Sequence, residues 1–187
     1  MFGELSTNPI GFLFWIIALI VAITIHEFAH AWAAERLGDP TPRLMGRLTL
    51  NPLVHLAPLG TIMLLVARFG WGKPVQFDPF NLRHPRRDSA LISLAGPVSN
   101  ILLAAACSVL LRLLFTFHFS LLDDWIIGLL NNLILMNVVL AVFNLVPIHP
   151  LDGFKIVEGI LPEEYAHQWA ELERYGMIFL ILLILPL

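Results

Sequence analysis

Charge is scarce in this chain. Lys, Arg, Asp and Glu make up 13% of its 187 residues, against about 25% in ordinary soluble domains, and 58% of it is hydrophobic, against about 45–50%. That balance argues against a large soluble core and for an integral membrane protein, with the lipid bilayer as its surroundings. Cysteine is nearly absent. Cys107 alone rules out an intramolecular disulfide and a thiolate zinc knuckle, and leaves the redox compartment open. Excess positive charge is absent too: the net charge is −3, and nothing points to a nucleic-acid partner. The opening "MFGELSTNPIGFLFW" has neither a basic n-region nor a small-residue cleavage site, so a removable signal peptide is not expected. With no internal repeat and no low-complexity tract, residues 1–187 read as one domain.

What the chain does have is long apolar runs. A helix needs about 20 apolar residues to cross a bilayer, and three segments meet that length. The first runs from near Ile10 towards Ala34, the second is Ser89–Leu111, and the third is Trp125–Val146. Two shorter runs are ambiguous: Pro58–Ala67, broken by Pro58 and Gly60, and Gly176–Leu187. Trp15, Trp125 and Trp71 fit interfacial belts.

Sidedness turns on Pro58–Ala67. If it dips in and returns, Arg36, Arg43, Arg47, Arg68, Lys73, Arg83, Arg86, Arg87, Lys155 and Arg174 share one side, and only Arg112 lies on the other. That bias marks the cytoplasmic side. If the segment crosses, the bias collapses. The expected fold is therefore all-α and polytopic: three core transmembrane helices, a sheltered re-entrant segment with room for a short β-hairpin, and a C-terminal helix.

Against this apolar background stands "ITIHEFAHAWAAERLGD", Ile23 to Asp39. His26 and His30 lie at i and i+4, so on a helix they project from one face and can share one metal ion. Glu27 stands beside them, where a carboxylate can take a proton from a water at the metal without ligating it. The pentapeptide alone would also suit a polar helix end at the interface. Depth in the membrane weakens that alternative, because intramembrane His and Glu are costly and mark function.

Two histidines leave a tetrahedral zinc one protein ligand short if water takes the fourth place. Asp152 in "FNLVPIHPLDGFKIV" is the candidate: Pro147 and Pro150 end the preceding helix, and Gly153 permits close approach. Sidedness provides a test. With a re-entrant middle segment, His26 and Asp152 reach the same face; with a crossing one they emerge on opposite faces.

"HEFAH", "GRLTLNPLVHLAPLGTI", "GWGKPV…NLRHPRR", "LAGPVSN" and "FNLVPIHPLDG", in this order, resemble the compact branch of the site-2 protease family, intramembrane zinc metalloproteases without accessory domains. The resemblance spans about residues 14–175. It implies one Zn2+ held by His26, His30 and Asp152, a catalytic Glu27, and a transmembrane-helix protein as substrate in a prokaryotic cell membrane. It also maps the family's asparagine, eight residues before the zinc Asp, onto Asn144. Two departures from the family pattern stand out. Ala57 stands where an acidic residue is usual, and Phe154-Lys155 replaces a small residue and an arginine.

The remaining polar residues carry weaker expectations. The oxyanion of peptide hydrolysis needs donors beyond the metal, and Asn144 and then His55 are the candidates, each with a packing role as its alternative. Gly96-Pro97-Val98-Ser99-Asn100 reads as a close-packing, kinked stretch. His149 is an extra ligand, a supporting donor or a solvated loop residue. His84 joins a basic juxtamembrane run that meets anionic headgroups, and residues 154–175 read as a solvated segment. Two rivals stand beside the protease reading: a non-catalytic metal-binding scaffold, which would not need Glu27, and a metal-ion transporter, which would need polar residues along a path across the membrane. The oligomeric state is not legible.

Overall fold

The structure is a computed structural model that describes residues 8–57, 60, 72–117 and 124–184. The described chain is mostly helical. Helix α1 (Pro9–Leu37) starts where Asn8 accepts the Gly11 N–H at 2.9 Å and Pro9 occupies the first turn. It ends at Gly38, whose φ of 111° is the left-handed conformation glycine adopts without a Cβ penalty. Two one-turn helices follow, α2 (Thr41–Leu44) and α3 (Pro52–His55). After a 3-10 turn at Pro79–Asn81 come α4 (Pro85–Thr116) and α5 (Asp124–Asn144). The C-terminal part is α6 (Asp152–Ile160), α7 (Glu163–Ala170), a 3-10 stretch Glu171–Tyr175 and α8 (Gly176–Ile184).

Helices α1, α4 and α5 are long and apolar enough to cross a membrane. The second is longer than the apolar run 89–111, because Pro85 starts it earlier and its end turns absorb Arg86, Arg87, Asp88 and Arg112. At 1.5 Å per residue it measures about 48 Å, against about 30 Å of hydrocarbon, so its charged ends can lie at headgroup level. Small residues set the packing. Ala18, Ala22 and Ala31 are fully buried and let α4 and α5 come close to α1. The opposite faces expose Leu102, Val109, Val139 and Val142, as lipid-facing helices do.

Except for Gly60, the stretch Pro58–Ala67 lies outside the described residues, as does Trp71. Its flanks do not: Leu56 and Gly72 form an antiparallel bridge, and the Lys73 N–H donates to His55 O at 2.7 Å. The chain on either side of that stretch therefore shares one end of the bundle, the end that holds the histidines. Among the described residues this isolated bridge is the whole of the β structure, and no hairpin strand is formed.

Residues 73–78 run extended and are fastened at both ends. Buried Arg47 donates from Nη1 to Val54 O (2.6 Å) and Lys73 O (3.3 Å). At the other end Asp39 Oδ2 accepts the Asp78 N–H at 2.8 Å, while its Oδ1 accepts from Thr41 N (3.0 Å), Thr41 Oγ1 (2.6 Å) and Asn81 Nδ2 (2.8 Å). Burial raises the Asp39 pKa, but these hydrogen bonds outweigh it and hold the carboxyl below its usual range.

The 154–175 stretch is only partly solvated. Glu163, Glu164, Glu171 and Glu173 are exposed, yet Phe154 is buried, stacks on Trp169 with centroids 5.3 Å apart, and accepts the Trp169 indole N–H at its carbonyl. Lys155 lies 4.5 Å over the Phe77 ring. The Phe154-Lys155 pair that departs from the family pattern thus joins α6 to α7 and to the extended segment.

Candidate metal centre

His26 and His30 are buried on the face of α1 that meets α4. Asp152 is the first residue of α6, where the helix dipole favours a carboxylate. Sequence separation of more than a hundred residues is closed by the turn after α5. Gly153 is required there, because a Cβ would land on the carbonyl oxygens of Leu145 and Val146.

The three donor atoms converge. His26 Nε2 and His30 Nε2 are 3.0 Å apart, and Asp152 Oδ2 lies 3.1 Å from the first and 3.3 Å from the second. A tetrahedral ion with bonds of about 2.0–2.1 Å has ligand–ligand edges of about 3.3 Å, so the spacing is that of a zinc site. Among the described residues Asp152 Oδ2 is buried with no hydrogen-bond partner, a costly state for an anionic oxygen unless a cation satisfies it. Each imidazole is fixed from behind: His30 Nδ1 is 2.7 Å from Ile92 O and His26 Nδ1 is 2.7 Å from Asn100 Oδ1. Gly96 makes room, since a Cβ there would come 2.5 Å from His30 Nε2 and 2.6 Å from His26 Cε1. Among the described residues His26, His30 and Asp152 are the group able to hold a metal ion.

Glu27 is half-buried and turned to the extended segment. Its Oε2 accepts the Val75 N–H at 3.0 Å. Asn144 is half-buried in the last turn of α5 and donates one amide proton to Leu140 O at 3.0 Å, which leaves the other. His55 is fully buried, its Nε2 2.8 Å from Thr49 O. A carbonyl only accepts, so Nε2 carries a proton, and Nδ1 has no partner among the described residues. As a neutral ring His55 then locks the 49–56 loop and offers no donor to an oxyanion. His149 is not part of the ligand group; it packs edge-on to Phe154 and lies 3.6 Å from Glu173.

Sequence reasoning missed Asn100, Asn137 and the role of Gly96. The signal was present in all three: a carboxamide inside a span needs a partner, and a glycine in a helix interior needs a neighbour.

Fold and donor set define a class, helical chains with an H-E-x-x-H metal site, the metalloprotease pattern, among helices of membrane-spanning length. The profile of peptidase family M50 matches residues 14–126 and 116–185, and the chain belongs to that family, the site-2 protease family. It is 43% identical over 191 aligned residues to the Bacillus subtilis protein named "Putative zinc metalloprotease YwhC", covering all of this chain and 85% of that one. It is 34% identical over 180 residues to the Mycobacterium tuberculosis protein named "Putative zinc metalloprotease Rip2", covering 93% and 67%. A more distant relative, "Zinc metalloprotease MJ0392" of Methanocaldococcus jannaschii, is 23% identical over 164 residues, of which the match covers 39% of that longer protein. No solved structure matches the chain.

Proposed function

We propose that this chain is a zinc-dependent endopeptidase that hydrolyses peptide bonds in or near the transmembrane segments of other membrane proteins. The observation that supports it most is the convergence of His26, His30 and Asp152 on one point inside a bundle of membrane-length helices. These three residues hold the zinc. The ion, when bound, supplies a Lewis acid that polarises the scissile carbonyl and brings the pKa of a water down to about 7.

Glu27 is the general base. Its carboxylate takes the proton from the attacking water and passes it to the leaving amine nitrogen. The Val75 N–H on Oε2 fixes the carboxylate and leaves Oε1 for that proton. The second amide proton of Asn144 is the donor for the oxyanion. His55 serves the reaction indirectly, through the loop that positions residues 72–75.

A helical substrate shields its own peptide bonds and must unwind before cleavage. The extended 73–78 segment, which directly follows the antiparallel bridge of Gly72 to Leu56, is the place for the unwound substrate to add as a strand. The ten-to-one distribution of basic residues that a re-entrant Pro58–Ala67 gives supports a cytoplasmic position for this end of the single domain.

The test is cleavage of a panel of transmembrane helices by the detergent-purified chain and its Glu27→Gln variant. Activity falls by about 10²–10⁴-fold in the variant with zinc content unchanged. Equal cleavage by both, or zinc flux into vesicles that survives Glu27→Gln, overturns the assignment in favour of an inert scaffold or a transporter.

A further inference from the structure

Behind His26 lies a polar chain that crosses all three membrane-length helices. Asn100 of α4 and Asn137 of α5 are both fully buried. Asn100 Oδ1 is 2.7 Å from His26 Nδ1, while Asn100 Nδ2 donates to Ala22 O on α1 at 3.0 Å and to Asn137 Oδ1 at 2.7 Å. Asn137 Nδ2 in turn donates to Leu133 O at 2.8 Å.

The ends of this chain fix its direction. A main-chain carbonyl can only accept a hydrogen bond. Leu133 O therefore claims the amide nitrogen of Asn137, which turns Asn137 Oδ1 towards Asn100. Ala22 O and Asn137 Oδ1 together claim both protons of Asn100 Nδ2, which turns Asn100 Oδ1 towards His26. An oxygen without a proton now faces Nδ1, so Nδ1 must carry the proton of the neutral ring. Nε2 is left with its lone pair, aimed at His30 Nε2 and Asp152 Oδ2. A reversed Asn100 amide would do the opposite: it would present N–H to Nδ1 and drive the ring proton onto Nε2, where a metal must bind. His30 needs no such arrangement, because the Ile92 carbonyl fixes its Nδ1 proton through the backbone.

We propose that Asn100, oriented by Asn137, selects the Nδ1–H tautomer of His26 and thereby sets the zinc affinity of the site. Both are positioning residues; neither touches the metal or the substrate. The inference rests on the zinc-protease reading above, and it concerns one side chain of that site that sequence can alter and another, His30, whose partner sequence cannot remove.

Two readings of the full-length, detergent-purified chain test it. The first is zinc affinity, measured by competition with a chromophoric chelator. Asn100→Leu, with the same branching at Cγ but without an acceptor, weakens zinc binding by about 10–100-fold. Asn100→Asp keeps an acceptor at Nδ1 but loses the Nδ2 protons given to Ala22 O and Asn137 Oδ1, so it recovers part of that loss. Asn137→Leu gives a smaller loss, and none further when added to Asn100→Leu, as expected of a residue acting through Asn100. The second is the ¹⁵N spectrum of zinc-free protein, with the His26 signal identified by its loss in His26→Asn. The ring is Nδ1–H in the wild type and shifts towards Nε2–H in Asn100→Leu.

If Asn100→Leu and the wild type bind zinc equally, or Asn100→Asp is as weak as Asn100→Leu, the asparagines only pack and the proposal is wrong. Should Asn100→Leu fail to fold, Asn100→Asp and Asn137→Leu carry the same comparison. A folded wild type that binds no zinc overturns the zinc reading itself; zinc binding that ignores the asparagines overturns only this inference.

Discussion

Two regions meet at Glu27, the proposed base, and they are held by different means. The ligand side, His26 and His30, sits inside the bundle, and its partners are the Asn100 amide and the Ile92 carbonyl of a neighbouring helix. The base side, Glu27, is held by an extended segment that hangs between Arg47 and Asp39. The metal is thus positioned by helix packing, which hydrocarbon cannot loosen by offering competing hydrogen bonds. Glu27 is positioned by the backbone of the segment proposed above to receive the substrate strand. On that proposal, rigidity is placed at the ligand group and exchangeable contacts where the substrate would arrive.

Changes on the two sides should therefore separate zinc binding from cleavage. The largest effect is expected from Gly96→Ala, which puts a methyl against both imidazoles. Zinc content falls with it, and cleavage drops by about 10²-fold or more, the cost of misplacing a reacting group by about 1 Å. Metal analysis beside a cleavage assay reads both. Val75→Pro acts on the other side: it removes the N–H that Glu27 Oε2 accepts, so cleavage falls by about tenfold while zinc stays at the wild-type level. If zinc is lost as well, the two regions are not separable.

Asp39→Asn has a smaller effect and a pH signature. The Asp39 pKa is depressed in the folded chain, so the carboxylate stabilises the fold above its ordinary value of 3.8 and that contribution fades as pH falls towards the folded value. The variant loses about 1–3 kcal/mol at neutral pH and shows less acid sensitivity below that point, measured by unfolding in detergent across pH. Lys155→Met, which removes a cation from the Phe77 ring, costs less than about 1 kcal/mol in the same assay and leaves zinc untouched.

Much of this was legible in the sequence. The i, i+4 spacing put His26 and His30 on one helix face, and the Pro and Gly around Asp152 marked a chain break at which a ligand could be delivered. The three spans followed from apolar run length, although Pro85 carries the second helix beyond its apolar stretch. The charge count required the His and Asp motifs to share one face, and in the structure their donor atoms lie within 4.8 Å of one another. What could not be read was any contact between helices. Asn100 stood in a stretch that suggested packing, and nothing in one dimension pairs it with a histidine 74 residues earlier or with Asn137 on the next helix. His55 shows the converse. Its residue type suggested chemistry, while its buried hydrogen bond to Thr49 O makes it part of the loop. Phe154 and Lys155 read only as departures from the family pattern, and their contacts to Trp169 and Phe77, which brace α6, were not legible.

The most direct measurement is zinc K-edge X-ray absorption on the purified full-length chain and on Asp152→Ala. The account predicts about one zinc per wild-type chain, with two imidazole nitrogens at about 2.0–2.1 Å and the rest of the shell oxygen, and loss of the ion in the variant. A zinc-free wild type, a shell with a single imidazole, or an unchanged site in Asp152→Ala would contradict it.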